Sequence, residues 1–158
     1  MHKKYYGWLV ILLASCALVY LGSSLFFSLS SFELRHPDGN RETVSLPLSR
    51  TSESGSGTYQ LYGQIVFGRW ASKILHITPD DRVLQIVVND NEVDLSDISR
   101  ESLSDWSYGF LLNVEPYVNS GRNSIQITFW DQGGYGLMGM KIQPEYSGWR
   151  MLIMSGLG

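Results

Sequence analysis

Gly134-Tyr135-Gly136-Leu137-Met138-Gly139 spells G-x-G-x-x-G, a spacing that lets backbone amides cradle a dinucleotide phosphate. That chemistry needs a strand before the glycines and a helix after them, so that the phosphate meets the helix N-terminus. Here the glycines lead instead into an alternation, Met138, Met140 and Ile142 against Gly139, Lys141 and Gln143. The pattern predicts a strand, with the glycines serving a tight turn and close strand packing. Beyond the N-terminal tail the histidines are His36 and His76. His76 stands between Leu75 and Ile77, a pleated-sheet position rather than that of a catalytic base. No G-x-S-x-G elbow occurs, and the one cysteine, Cys16, lies in an apolar run, so neither an internal disulfide nor a Cys/His metal cluster is built. Non-enzymatic function is the expectation.

Binding chemistry is better represented. Trp130 falls on the polar face of an alternating stretch, next to Asp131, while Trp70 (beside Arg69), Trp106, Tyr108 and Tyr135 lie in or beside turns. Aromatic rings stack on the C–H faces of sugars while Asp, Asn and Arg bond the hydroxyls, so these seven residues are the candidate ligand-binding set for a glycan. The same rings would also serve to cap the open ends of a sandwich, since Trp is usually largely buried. Between residues 80 and 105 eight acids face only Arg82 and Arg100. A structural calcium site is conceivable there, although no spaced ligand motif appears and a solvated acidic loop is the plainer reading. No cofactor is expected. The formal charge of −3 argues against nucleic acid as a partner.

These residues need elements to position them. The most informative stretch is 74–95, where two β-type runs, 74–78 and 83–88, flank Pro79-Asp80-Asp81-Arg82, and a second polar turn, Asn89-Asp90-Asn91-Glu92, follows. Leu84, Ile86 and Val88 form one apolar face against Val83, Gln85 and Val87, which predicts a strand in a sandwich. Alternation recurs over 58–68, with Tyr59, Leu61, Ile65 and Phe67 on one side, and most cleanly over 123–130, with Ile125, Ile127 and Phe129 inward. Phe110, Leu112 and Val114 form another inward face. A short hairpin is expected around His36-Pro37-Asp38-Gly39-Asn40, a flexible loop over 49–57 and a closing strand over 149–154. Residues 94–105 hold no good helix or strand. Short strands, many turns and no soluble helix indicate an all-β antiparallel sandwich.

The N-terminus differs in kind. Residues 5–32 are uncharged, after Lys3 and Lys4, and all fifteen acids lie beyond residue 32 with ten of the twelve basic residues, a net of −5 there. About 20 apolar residues cross a bilayer core. Tyr5, Tyr6 and Trp8 sit where an interfacial belt would, and the lysines predict a cytoplasmic N-terminus. The expected organisation is a cytoplasmic tip (1–4), a transmembrane anchor (5–28), a membrane-proximal hairpin and Gly/Ser loop partly joining the sandwich (29–57) and an extracytoplasmic, periplasmic-type sandwich (58–158). Two alternatives share that outside location. Leu13-Ala14-Ser15-Cys16 resembles a lipobox, which would make Cys16 a lipidated N-terminus, and a cleaved signal peptide would have a shorter apolar core.

Several of these stretches together resemble a known family. Val44-Ser45-Leu46-Pro47, a Gly/Ser loop and Tyr59-Gln60-Leu61-Tyr62 are similar to the opening of the jelly-roll sugar-binding domain of family-two glycoside hydrolases, the β-galactosidase and β-glucuronidase relatives. Val88-Asn89 with Glu92-Val93 looks like that domain's V-N-G-x-x-V turn, Asp90 replacing the glycine, and residues 117–125 resemble its entry to a late strand. The resemblance covers about residues 43–143. It implies a galactose-binding-like jelly roll in which Asn89 and Asn123 shape a hairpin and start a strand, without catalytic carboxylates, which that family keeps in a separate domain. The expected role is a non-catalytic accessory or assembly subunit of an envelope or polysaccharide system, beside other envelope membrane proteins. The alternative is a carbohydrate-binding module.

Overall fold

A computed structural model describes residues 3–51, 55–133 and 137–145. The expected closing strand at 149–154 lies outside these. An N-terminal helix, α1 (Lys3–Leu25), is followed by β1 (Phe27–Leu29), β2 (Phe32–Arg35), β3 (Arg41–Val44), β4 (Leu48–Thr51), β5 (Gly57–Phe67), β6 (Ile74–Pro79), β7 (Arg82–Val88), β8 (Asn91–Glu92), β9 (Phe110–Asn113), β10 (Gly121–Asp131) and β11 (Leu137–Pro144). The strands form two antiparallel sheets, a β-sandwich. The larger sheet runs β3-β2-β5-β10-β7-β8, with β1 also on β5, and the smaller runs β4-β11-β6-β9.

Alternation explains the core. From the larger sheet Phe32, Leu61, Ile65, Ile86, Ile125 and Ile127 point inward, from the smaller Leu75, Ile77, Leu112 and Met140, and all belong to one buried cluster. Each fully buried side chain of this size contributes about 1.5–3 kcal/mol. Gly63 faces the same interior, where an added Cβ would run into the ring of Phe32.

Three expectations need correction. Leu84 is not on the apolar face. A bulge beside Thr128 and Phe129 shifts the register of β10 on β7, so Val83 and Ile86 point inward and Leu84 is exposed. One extra residue in a period of two turns every side chain beyond it to the other face. The loop expected over 49–57 is partly strand, because β4 gains a ladder against β11, with Ser49 opposite Gly139. The uncharged N-terminal run is shared between helix and sheet: Phe27 pairs with Phe67 and Leu29 with Ile65, and after a break at Ser30 and Ser31 the chain continues along the same strand as β2. The hydroxyl of Ser30 spans the break, accepting from the Gln64 amide at 2.9 Å.

The described side chains of α1, over residues 8–22, are apolar on all sides and exposed, from Trp8 at 74% to Leu21. Among the described residues no helix is long and apolar enough to cross a membrane. Where α1 ends, the sandwich begins at once: the Gly68 amide donates to the Phe26 carbonyl at 2.7 Å. This defines a helix-side end of the sandwich, with the loops after β5 and before β10, and a far end, with the β6–β7 turn and the loop before β9.

Candidate functional site

The candidate residues fall in three separate places. Trp106 and Tyr108 occupy the far-end loop before β9 and are 71% and 79% exposed. The loop is nevertheless held closely. The Asp105 carboxylate accepts from the amides of Ser107 at 2.8 Å and Tyr108 at 2.9 Å, and the Gly109 amide donates to the Asp105 carbonyl at 2.9 Å. Gly109 has φ +62, and a Cβ there would collide with the Ile77 carbonyl, so the position demands glycine. His76, on the outer face of β6, donates from Nε2 to the Tyr108 carbonyl, and its Nδ1 faces the Gln143 amide at 3.1 Å. Nε2 thus holds the aromatic loop, while Nδ1 ties the ring to β11. Leu111 and Ile74 extend its apolar surface along the outer face of the smaller sheet.

Trp130 is also towards the far end, but on the other sheet. It stands between Thr58 and Arg82 in the ladder and is 40% exposed. Asp131, the next residue, turns inward and is 3% exposed, its carboxylate accepting from the Gly133 amide at 2.6 Å. It is a turn-forming group rather than a partner for Trp130. Asp81 does similar work, accepting from the Gln132 amide at 2.7 Å. Asp80, half-buried between them, has its carboxyl raised above the usual range by burial and by the charges of Asp81 and Asp131. Among the described residues no group of three or more His, Cys, Asp or Glu side chains is placed to hold a metal ion, including over the acidic stretch 80–105. Tyr135 lies outside the described residues.

Trp70 and Arg69 are at the opposite, helix-side end. The Trp70 ring meets the Tyr20 ring of α1 edge-on, with centroids 5.7 Å apart. Trp70 therefore joins neither Trp106 nor Trp130.

A fourth feature is not signalled by any motif. On the outer face of the larger sheet a cleft of about 510 Å³ is lined by Ser30, Tyr62, Gln64, Asp90, Ser124 and Gln126, among others. Hydroxyls and amides from neighbouring strands, Gln126 opposite Tyr62 and Ser124 opposite Gln64, line it together with the Asp90 carboxylate and the apolar Val87 and Ile125. Arg35 lies over the Tyr62 ring, 4.0 Å from its centroid. Such a surface offers hydrogen bonds to neutral polar ligands. The polar positions of the 58–68 and 123–130 alternations were its only sequence signal.

Asn89 and Asn123 do the structural work expected of them. Asn89 donates to Asn123 Oδ1 at 2.8 Å and to the Tyr117 carbonyl at 2.9 Å, while the Ser124 amide donates back to Asn89 at 3.0 Å. Asn123, buried, also donates to the carbonyls of Asn119 and Gly121. Asn89 and Asp90 both take positive φ, 48 and 63, as a two-residue hairpin turn requires.

No protein-family model matches the chain, and no curated protein sequence matches it. Among solved structures it is similar to the crystal structure of Streptomyces avermitilis α-L-rhamnosidase complexed with L-rhamnose, at 12% identity and a TM-score of 0.32. The match covers 79% of this chain and 22% of that one, so the chain spans about a fifth of the enzyme's length.

Proposed function

We propose that this chain is a single-pass membrane protein with a cytoplasmic N-terminus, whose extracytoplasmic, galactose-binding-like sandwich acts as a non-catalytic accessory or assembly subunit of an envelope or polysaccharide system. One observation carries the reading: the described side chains of α1 are apolar on every side and make almost no use of the sandwich to cover themselves. A helix of that kind belongs in a core or a bilayer. The described helix alone is not long and apolar enough to cross a membrane, but the uncharged run it belongs to, residues 5–32, exceeds the roughly 20 residues that cross a hydrocarbon core. Lys3 and Lys4 favour the cytoplasm for the N-terminus. The jelly-roll reading is supported by the path of the chain, which from β4 to β7 changes sheet at every step, and by the Asn89–Asn123 link between the two resembling motifs.

The test exchanges residues 3–25 for an unrelated transmembrane helix in the full chain, followed by crosslinking in native membranes. The account predicts that the sandwich stays folded and membrane-bound while its crosslinked envelope partners are lost. Partners retained in full would place recognition in the sandwich alone. A second reading, a carbohydrate-binding module, is favoured by the exposure of Trp106 and Tyr108 on a closely held loop. It predicts saturable binding of the full chain on a glycan array, abolished by Trp106→Ala without loss of fold. Silence against every glycan sinks that reading and leaves the first standing.

A further inference from the structure

We infer that the loop at 68–73 is a membrane foot: Trp70 and Arg69 sit in the headgroup region of the outer leaflet and fix the sandwich against the lipid surface. The inference rests on the reading that α1 crosses the bilayer, and it adds which part of the sandwich touches lipid.

The argument is one of depth. Tyr20, which meets Trp70 edge-on at 5.7 Å, precedes the end of α1 by five residues. That is about 7–8 Å back along the helix axis. Trp70 therefore reaches past the point where the helix ends, towards the bilayer, to a level where the helix is still within the lipid. The loop is tied in this position. Gly68 donates its amide to the Phe26 carbonyl at 2.7 Å, and its own carbonyl accepts from the Ala71 amide at 3.1 Å and from Lys73 Nζ at 2.9 Å. Lys73 also lies over the Phe67 ring, which packs on Phe27.

Ala71 and Ser72 are buried, so Arg69 and the 42%-exposed Trp70 are what the loop presents outward. Their chemistry suits the interface. An indole places an apolar body against acyl chains and its N–H among headgroups. A guanidinium offers a fork of donors to a phosphodiester. Phe26, exposed at the helix exit, adds apolar surface at the same level. No acid occurs between residues 54 and 79, so the loop carries only the positive charges of Arg69 and Lys73. Acids of this end lie on other segments, Asp90 in the β7–β8 turn, Glu92 on β8, Glu115 between β9 and β10 and Glu145 after β11.

The experiment uses the full chain in nanodiscs of phosphatidylcholine and phosphatidylglycerol, with bromine placed either high on the acyl chain or near its end. Tryptophan quenching is compared for the wild type, Trp8→Phe and Trp70→Phe, the latter keeping a ring against Tyr20. The expected result is that Trp70→Phe loses a large part of the quenching by shallow bromine and leaves quenching by deep bromine unchanged. If Trp8→Phe removes lipid quenching while Trp70→Phe changes nothing, the foot is wrong and the anchor stands. If no bromolipid quenches any variant, the anchor reading falls and takes the inference with it. A nitroxide at Arg69→Cys in a Cys16→Ser background provides an independent check. Accessibility to an aqueous nickel chelate well below that of a label at Asp38→Cys is expected, and equal accessibility overturns the proposal.

Discussion

The two ends of the sandwich both display tryptophan, yet they use it differently. At the helix-side end Trp70 packs on Tyr20, and the surrounding loops are bonded to one another through Asn89, Asn123 and the amide of Gly68. At the far end Trp106 and Tyr108 touch little, while the backbone beneath them is fixed by Asp105, Gly109 and His76. One end spends its side chains on joining helix to sheet. The other leaves the rings of Trp106 and Tyr108 exposed and restrains the main chain beneath them. Exposure alone thus separates the two poorly, and what lies under each ring separates them well. The helix-side end is a joint, and the far end exposes aromatic rings on a fixed backbone.

The largest blow to this comparison would come from the joint. Asn123→Ala removes the donor to two carbonyls and the acceptor for Asn89 and the Asn119 amide. Leaving these buried groups unpaired costs about 3 kcal/mol or more, read as a lower midpoint in urea. A loss under about 1 kcal/mol would show that the joint is not held there. At the far end Gly109→Ala forces a Cβ towards the Ile77 carbonyl in left-handed backbone. The expected cost is about 2 kcal/mol, together with shifted amide resonances for residues 105–111, while those of residues 86–90 stay in place.

A smaller effect concerns pH at the far end. The Asp80 carboxyl is raised in the folded state by burial and by Asp81 and Asp131. The folded chain therefore holds that proton more tightly than the unfolded chain does, and stability rises as pH falls from neutral towards the usual carboxylate range. Asp80→Asn should raise Tm at pH 7 and flatten that rise. A lowered Tm at pH 7 would mean that the charge is being used. Smallest of all, Trp106→Ala and Tyr108→Ala should change stability by no more than about 0.5 kcal/mol each. Larger losses would make these rings part of the core and end their claim as a presenting surface.

Much of the sandwich was legible because its strands keep a strict period. The alternation over 123–130 became the centre of β10, and Tyr59, Leu61, Ile65 and Phe67 became the inner face of β5. The roles of Asn89 and Asn123 were legible because short polar motifs fix local backbone. The failures have a common physical cause, which is that a partner strand supplied what local sequence lacked. Ser49 and Arg50 read as loop until β11 pairs with them. Phe27 and Ser28 read as the end of the anchor until β5 takes them up. Leu84 changes face because of a bulge set by β10. The candidate site was legible only as residue types. Trp130, Trp106 and Trp70 look alike in sequence, and nothing local says that they end on different sheets or at opposite ends.

The central claim, that α1 holds the sandwich against a membrane, is tested most directly by alkaline carbonate extraction of membranes carrying the full chain, with protease added from either side. The account predicts that the chain stays with the membrane, that protease on the cytoplasmic side leaves residues 26–158 intact, and that protease on the outer side reaches the loops of the sandwich. Release of the whole chain by carbonate, or digestion of the sandwich from the cytoplasmic side, would contradict it.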